Sequence, residues 1–365
     1  MDGTPHTISQ PKARVQWLDV LKLIGILEVF VGHYATLAGR SYLYVFTHHV
    51  ALFFFAAGCA EALNTETHFI RYLSKKVEGL LVPFYLFGLL SIFVVALLND
   101  CGFAEALSPL LGLAAGAIRN RYYMGLWFLT ALLMTALLFW FIKKLRSKAL
   151  ILLVCFVCGL VPNPRYPFLP YNVDSVFPYL IYYGLGYVLF PWVRRALFAG
   201  THKGRFLLWC AGLVSLGVSM LVYFQVMPAF PWSGVPVIGD IASVLRTMIL
   251  IWLWVSLAYL LRNVGFLAAL GRETLYACGN EYIATMLVPQ LLALAGVKPA
   301  FESPLAVYLY CILLLLFIHY ALVPVEKPMA RFMVRSLRRG LTWIGEIVGK
   351  KQTDALQMER EAPRA

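Results

Sequence analysis

Trp17-Leu-Asp-Val-Leu-Lys-Leu-Ile-Gly-Ile-Leu-Glu-Val-Phe-Val-Gly-His33 is an apolar run close to membrane-spanning length, yet it carries an acid, a base and an imidazole. Lys22 and His33 lie eleven residues apart. On a helix that spacing returns to within about 20° of the same face and separates the two groups by about 16 Å along the axis. Asp19 joins the stripe, about 40° from His33 and about 60° from Lys22. Ionisable residues inside a membrane segment point into the bundle and mark substrate paths or catalytic sites. Glu28 projects about 140° away from His33 and is expected to meet a neighbouring helix instead.

The rest of the chain repeats the apolar theme. Of 365 residues, 61% are hydrophobic and 13% charged, and the mean hydropathy is +0.75. These values lie outside the range of soluble domains. The apolar runs predict an all-α integral membrane protein with about ten transmembrane helices, near 17–38, 49–66, 80–99, 122–142, 149–162, 176–192, 206–226, 241–261, 274–294 and 304–324. Residues 1–12 are polar and contain Pro5 and Pro11, and no cleavable leader is expected there.

A net charge of +13 raises nucleic acid as a partner, but its distribution argues against that. Basic residues crowd into alternate connections: Arg71, Lys75 and Lys76; Lys143, Lys144, Arg146 and Lys148; Arg194, Arg195, Lys203 and Arg205; Arg262 and Arg272; then the stretch from Lys327 onward. The other connections hold only Arg40, Arg119, Arg121, Arg165 and Lys298. This bias places both termini in the cytoplasm and makes anionic membrane lipids the default partners.

The expected organisation is a cytoplasmic segment at 1–16, one transmembrane domain at 17–325, an amphipathic basic helix on the cytoplasmic surface at 326–350, and a disordered tail at 351–365. Two connections rich in Pro and aromatics, 161–170 and 227–236, suit a substrate mouth or re-entrant caps. Cys155 and Cys158 form a CxxC inside a span with no second ligand pair, which favours packing over metal binding. No Walker loop, dinucleotide fingerprint or internal repeat occurs.

Several motifs in order give the chain a family resemblance. Lys22, ten intervening residues and His33 resemble the Arg/Lys-x10-His element of the membrane acyltransferase-3 family. His49-Val-Ala-Leu-Phe-Phe-Phe-Ala-Ala-Gly58 is similar to its His-x-Pro-Leu-Phe-Phe-x-x-Ser-Gly stretch, with Ala51 and Ala57 at the usual Pro and Ser. Arg71, Lys75 and Lys76 before Leu81-Val-Pro83-Phe resemble its basic loop, with Glu78 and Gly79 where a second Arg is common. Gly125-Leu-Trp127-Phe128-Leu129, Leu270-Gly-Arg272-Glu-Thr-Leu275 and Glu326-Lys-Pro328 resemble its later elements, whereas Asn280-Glu281 stand where the family often has His. The resemblance is strongest to stand-alone sugar O-acetylases, the fucose 4-O-acetylase-like branch.

That resemblance implies a bacterial inner-membrane O-acetyltransferase. Its co-substrate would be acetyl-CoA or another acyl-CoA, with no metal or tightly bound cofactor, and its acceptor a cell-envelope glycan or lipid-linked sugar. Chemically, acyl transfer from a thioester to a hydroxyl needs a base or an acyl carrier, and imidazole serves either role near neutral pH. His33 takes that role, with Lys22 neutralising donor charge and Asp19 restraining Lys22. Arg71, Lys75 and Lys76 face the side from which the phosphates of coenzyme A arrive, or act only as topological anchors. His49, Trp127, Arg246, Asn280 and Glu281 are candidates for the acceptor side. For His48 and His49 the plain alternative is an interfacial helix entry; for Arg246 it is pairing with Asp240 or snorkelling. No fused esterase-like domain is expected, so the protein would either complete the transfer itself or work with a separate extracytoplasmic transferase.

Two other functions fit intramembrane charges: a transporter or flippase, and an accessory membrane subunit. The ordered motifs favour the enzyme.

Overall fold

A chain this apolar must satisfy its backbone hydrogen bonds within its own segments. The computed structural model, which describes residues 14–99, 102–116, 124–160, 169–198, 202–226 and 237–361, does so with helices; no strand occurs among these residues. The connections at 161–168 and 227–236, most of the N-terminal segment and residues 362–365 lie outside the described residues.

The α-helices are α1 (Gln16–His33), α2 (Arg40–Val45), α3 (His49–Glu61), α4 (Phe69–Lys76), α5 (Val82–Leu98), α6 (Phe103–Ala114), α7 (Trp127–Ile142), α8 (Lys148–Gly159), α9 (Val176–Phe198), α10 (His202–Tyr223), α11 (Ile238–Leu260), α12 (Gly265–Arg272), α13 (Thr274–Leu294), α14 (Pro304–Phe317) and α15 (Val323–Glu361). Six stretches are long and apolar enough to cross a membrane: 40–61, 69–98, 170–197, 204–223, 238–263 and 304–342. α7 and α8 are shorter apolar helices. The remaining two runs seen in the sequence fall on α1, interrupted by Asp19, Lys22 and Glu28, and on α13. The chain is thus an all-helical protein with membrane-spanning elements.

α4 and α5 join through a π-helical turn, Val77–Leu81, into one continuous helical stretch. A second π-helical turn, Ile318–Leu322, carries α14 directly into α15, so the backbone marks no break at 325 or at 350. Apolar periodicity does not register either junction, because a π turn shifts the face without interrupting the helix.

The chain divides into two compact units, each assembled from separate segments. The first comprises residues 1–63, 182–274 and 301–311; the second 64–181, 275–300 and 312–365. In the first, α3 and α9 approach through paired glycines. A Cβ on Gly58 would collide with the Tyr183 carbonyl, and one on Gly186 with the Phe55 carbonyl. Such small-residue contacts are how helices pack where lipid supplies no hydrophobic drive. The second unit has a dry core of Phe84, Leu86, Phe87, Ile92, Leu113, Leu126 and Leu129. Large apolar side chains such as Phe93, Phe206, Leu213 and Leu309 stay exposed, as expected where the solvent is hydrocarbon.

Candidate active site

The α1 stripe begins with a clamp. Asp19, in the first turn of α1, is almost fully buried. Its Oδ1 lies 2.8 Å from Lys22 Nζ, and its Oδ2 accepts from Arg14 Nε at 2.7 Å. Gly271 on α12 packs so closely against the Asp19 carbonyl that a Cβ there would collide. The carboxylate therefore holds two cations, and Lys22 is restrained on the i,i+3 face with its side chain 31% exposed. Arg14, just before the helix, is the partner that sequence reasoning missed.

His33 is the last residue of α1 and is exposed. Because α1 is continuous, Lys22 and His33 stand about 16 Å apart and do not touch. The residue before His33, Gly32, packs on Val45 and Phe46 at the end of α2. His49 belongs to the same corner: its Nδ1 lies 2.6 Å from the Val45 carbonyl and its ring 4.9 Å from that of Phe46. A carbonyl oxygen can only accept, so Nδ1 carries the proton and Nε2 of the neutral ring is the basic atom. His33 and His48 are the titratable neighbours of His49.

Beside this corner lies a buried cluster that sequence reasoning only half anticipated. Glu28 Oε1 is 3.1 Å from His48 Nε2, and Trp254 Nε1–H donates to the same nitrogen at 2.7 Å. Thr247 Oγ1 on α11 donates to the Thr47 carbonyl, which fixes α11 against the entry of α3. Arg246 is half-buried next to Thr247 and acts electrostatically on Tyr182. Thus the first unit gathers Lys22, Asp19, His33, His49 and Arg246.

The second unit holds the others. Arg71 and Lys75 are exposed on α4, and Lys75 Nζ donates to Glu66 Oε2 at 2.7 Å. Lys76 and Lys143 lie 5.0 and 5.1 Å from the centre of the buried Tyr72 ring, and Lys144 sits 3.5 Å from that of Trp140. Lys143 and Lys144, assigned from sequence only to topology, therefore enlarge the basic group around Tyr72 by cation–π contact. Glu78, at the position of the missing second Arg, receives two hydrogen bonds from Arg338 of α15, at 2.7 and 2.6 Å. A guanidinium thus reaches this turn from a distant helix.

Asn280 is fully buried, and its Nδ2 donates to Glu326 Oε2 at 2.6 Å and to the Tyr276 carbonyl at 3.0 Å. It ties α13 to α15 and offers no exposed surface. Glu281 is also buried. Its carboxylate lies beside Gly125, whose carbonyl also accepts from Cys278 Sγ at 3.6 Å. Two residues on, Trp127 opens α7 with its ring 6.4 Å from that of Tyr179. Nearby, the turn Pro170–Ser175 holds Tyr171 and Asn172 at φ 58 and 53. It is pinned by Asn172 Nδ2 donating to Thr130 Oγ1 at 2.9 Å and by a Tyr85–Tyr171 hydroxyl contact of 3.0 Å. Non-glycine residues in this region carry strain that the surroundings must support.

A family model described as an acyltransferase domain matches residues 15–277, from the residue after Arg14, so including Asp19 and Lys22, through the first turn of α13. No curated protein and no solved structure matches the chain.

Proposed function

The chain belongs to the acyltransferase-3 family, and on that premise we propose that it is an integral-membrane O-acyltransferase working from acyl-CoA. The acyl group, acetyl in the simplest case, passes to a hydroxyl of a cell-envelope glycan or lipid-linked sugar. The observation that carries this reading is that the matched family domain contains the whole of α1, with a restrained Lys22 in its second turn and His33 at its C-terminal end.

In the proposed mechanism Lys22 meets negative charge on the donor and His33 serves the reacting centre. As a general base, the imidazole takes the hydroxyl proton while the oxygen attacks the thioester carbonyl. The C–S bond then breaks, and the thiolate receives that proton. As a carrier, an imidazole nitrogen attacks first and coenzyme A leaves as the thiol. The acceptor oxygen then takes the acyl group and regenerates the ring. His49, with Nε2 basic, lies at the same corner and suits the acceptor side. Arg71, Lys75 and Lys76 are proposed to bind the donor phosphates, with Lys143 and Lys144 beside them. Trp127, Glu281 and Arg246 are assigned to the acceptor side. Asn280 supports that side only indirectly, through its bond to Glu326.

The wider setting follows the same reading: about ten spans, both termini cytoplasmic, a bacterial inner membrane, and the fucose 4-O-acetylase-like branch. A separate extracytoplasmic transferase is the partner for onward transfer. The test is release of coenzyme A by the purified protein given acetyl-CoA and a panel of envelope glycans. Release that depends on one acceptor supports the reading, and none with any acceptor argues for a transporter.

A further inference from the structure

Three lysines of the second unit converge on one aromatic floor. Tyr72 of α4 is almost fully buried, and its hydroxyl donates to the Ala136 carbonyl of α7 at 3.0 Å, which fixes the ring. Lys76 Nζ, from the end of α4, and Lys143 Nζ, from the end of α7, lie 5.0 and 5.1 Å from its centre. The Trp140 ring stands 6.3 Å from that of Tyr72, and Lys144 Nζ sits 3.5 Å from the Trp140 centre. Two helices thus deliver their ammonium groups to one rigid platform. The rings are buried, but Lys144 is exposed and Lys76 and Lys143 are half-buried, so the charged side of the platform meets solvent.

The acids that face this platform do not balance it. α4 and the π turn Val77–Leu81 both pack on α7. α7 carries no charged residue, and the acids in and beside the other two elements are Glu66 and Glu78. Glu66 accepts from Lys75, and Glu78 receives both of its strong hydrogen bonds from Arg338. A ring face, by contrast, positions an ammonium without neutralising it. With Arg71 and Lys75 on the same helix, the patch keeps a net positive charge.

The kind of anion follows from the kind of cation. A lysine ammonium is a compact point charge suited to phosphate. A phosphate monoester concentrates about −1.5 to −2 charge on one group near neutral pH, whereas each phosphate of a pyrophosphate diester carries a single charge. Coenzyme A has both: a pyrophosphate in its backbone and one monoester, the 3′-phosphate of its ribose. The densest group of lysines matches the densest anion. The pyrophosphate is left to Arg71 and to Lys75, whose charge is shared with Glu66.

We propose that Lys76, Lys143 and Lys144 form the subsite for the 3′-phosphate of the acyl donor. They make the protein specific for free acyl-CoA and select against the phosphopantetheine of an acyl carrier protein, which lacks that phosphate. This rests on the acyl-CoA reading above and adds to it which part of the donor is read, and by which residues.

The experiment is isothermal titration of the detergent-purified full chain with coenzyme A and with 3′-dephospho-coenzyme A, at one ionic strength. The variants are Lys144→Gln and the double variant Lys143→Gln with Lys144→Gln. Wild type is expected to bind coenzyme A at least about tenfold tighter than the dephospho form, the worth of one charge-assisted hydrogen bond. Lys144→Gln is expected to narrow that ratio and the double variant to bring it close to one, by weakening coenzyme A alone. Equal binding of the two ligands by wild type, or an unchanged ratio in the variants, overturns the proposal and leaves the acyl-CoA reading standing. Failure of wild type to bind either ligand overturns both. Displacement of coenzyme A by equimolar phosphatidic acid, a lipid monoester, would make the patch a lipid site and also overturns the proposal. Lys144 is exposed, so its single substitution is a test even if the double variant does not fold.

Discussion

Glu28 Oε1 and His48 Nε2 lie 3.1 Å apart, both almost fully buried, twenty residues from each other in sequence. Their surroundings leave little freedom. Thr47 gives its hydroxyl proton to the Tyr44 carbonyl, so its oxygen can only accept from His48 Nδ1 at 3.0 Å. Trp254 can only donate, and it does so to Nε2. A proton placed on Nε2 satisfies Glu28 but deprives Trp254; one left on Glu28 competes with Trp254 for a single lone pair. The pair is therefore a tightly constrained part of the α1–α3 corner that also carries His33 and His49.

Replacing Glu28 or His48 singly by Leu is expected to destabilise the protein by about 3 kcal/mol or more, because each leaves a buried partner uncompensated. The double replacement is expected to cost less than the sum of the two. A thermal-melt cycle in detergent checks this, and additive effects would show that the two side chains do not work as a pair.

Lys22→Ala is expected to lower kcat/KM for acetyl-CoA on the order of a hundredfold while leaving the fold intact. The fold survives because Arg14 still covers the Asp19 carboxylate. Asp19→Ala frees both cations and is expected to lower the melting temperature as well. Steady-state kinetics and melts on the same samples separate the two effects, and normal acetyl-CoA kinetics in Lys22→Ala would remove Lys22 from the mechanism.

How much of this was legible in the sequence depended on whether one segment contained the signal. The helix pattern and the Lys22–His33 stripe were readable because a single apolar run carries them. Asp19 beside Lys22 followed from helical geometry. The bond between Asn280 and Glu326 joins positions 46 residues apart, and nothing in either local pattern reveals it. Arg338 reaching Glu78, 260 positions away, was hidden for the same reason: a surplus of arginines in an amphipathic helix looks like membrane anchoring. His48 was passed over because a histidine at a helix entry has an ordinary interfacial explanation.

Charge reversal at Arg338 is expected to loosen α15 from the turn at Glu78. The pair is exposed and screened by solvent, so its effect on global stability is small and the sensitive readout is limited proteolysis of α15. Arg338→Glu is expected to speed cleavage and Glu78→Arg with Arg338→Glu to restore protection. Equal cleavage of the single and double variants would mean that the contact does not hold the helix.

Glu66 keeps Lys75 occupied. The Lys75 ammonium, followed by the His68 backbone N–H, holds the Glu66 carboxyl below its usual range. A depressed carboxyl pKa means that the pairing is complete above about pH 4.5, the ordinary carboxyl value, and is lost as pH falls through the lower folded value. Glu66→Gln is therefore expected to free Lys75 for donor phosphates and lower KM for acyl-CoA about two- to threefold, equally across pH 6–8. Isothermal titration of coenzyme A over that range checks it, and an effect that varies with pH there would implicate another group.

The central claim is that His33 carries acyl transfer from acyl-CoA. The direct measurement follows release of coenzyme A from radiolabelled acetyl-CoA with an accepted glycan, comparing wild type with His33→Ala at matched folding. The account predicts a loss on the order of 10²–10⁴ in kcat, the contribution of a positioned acid–base group. Turnover in His33→Ala equal to wild type would contradict it.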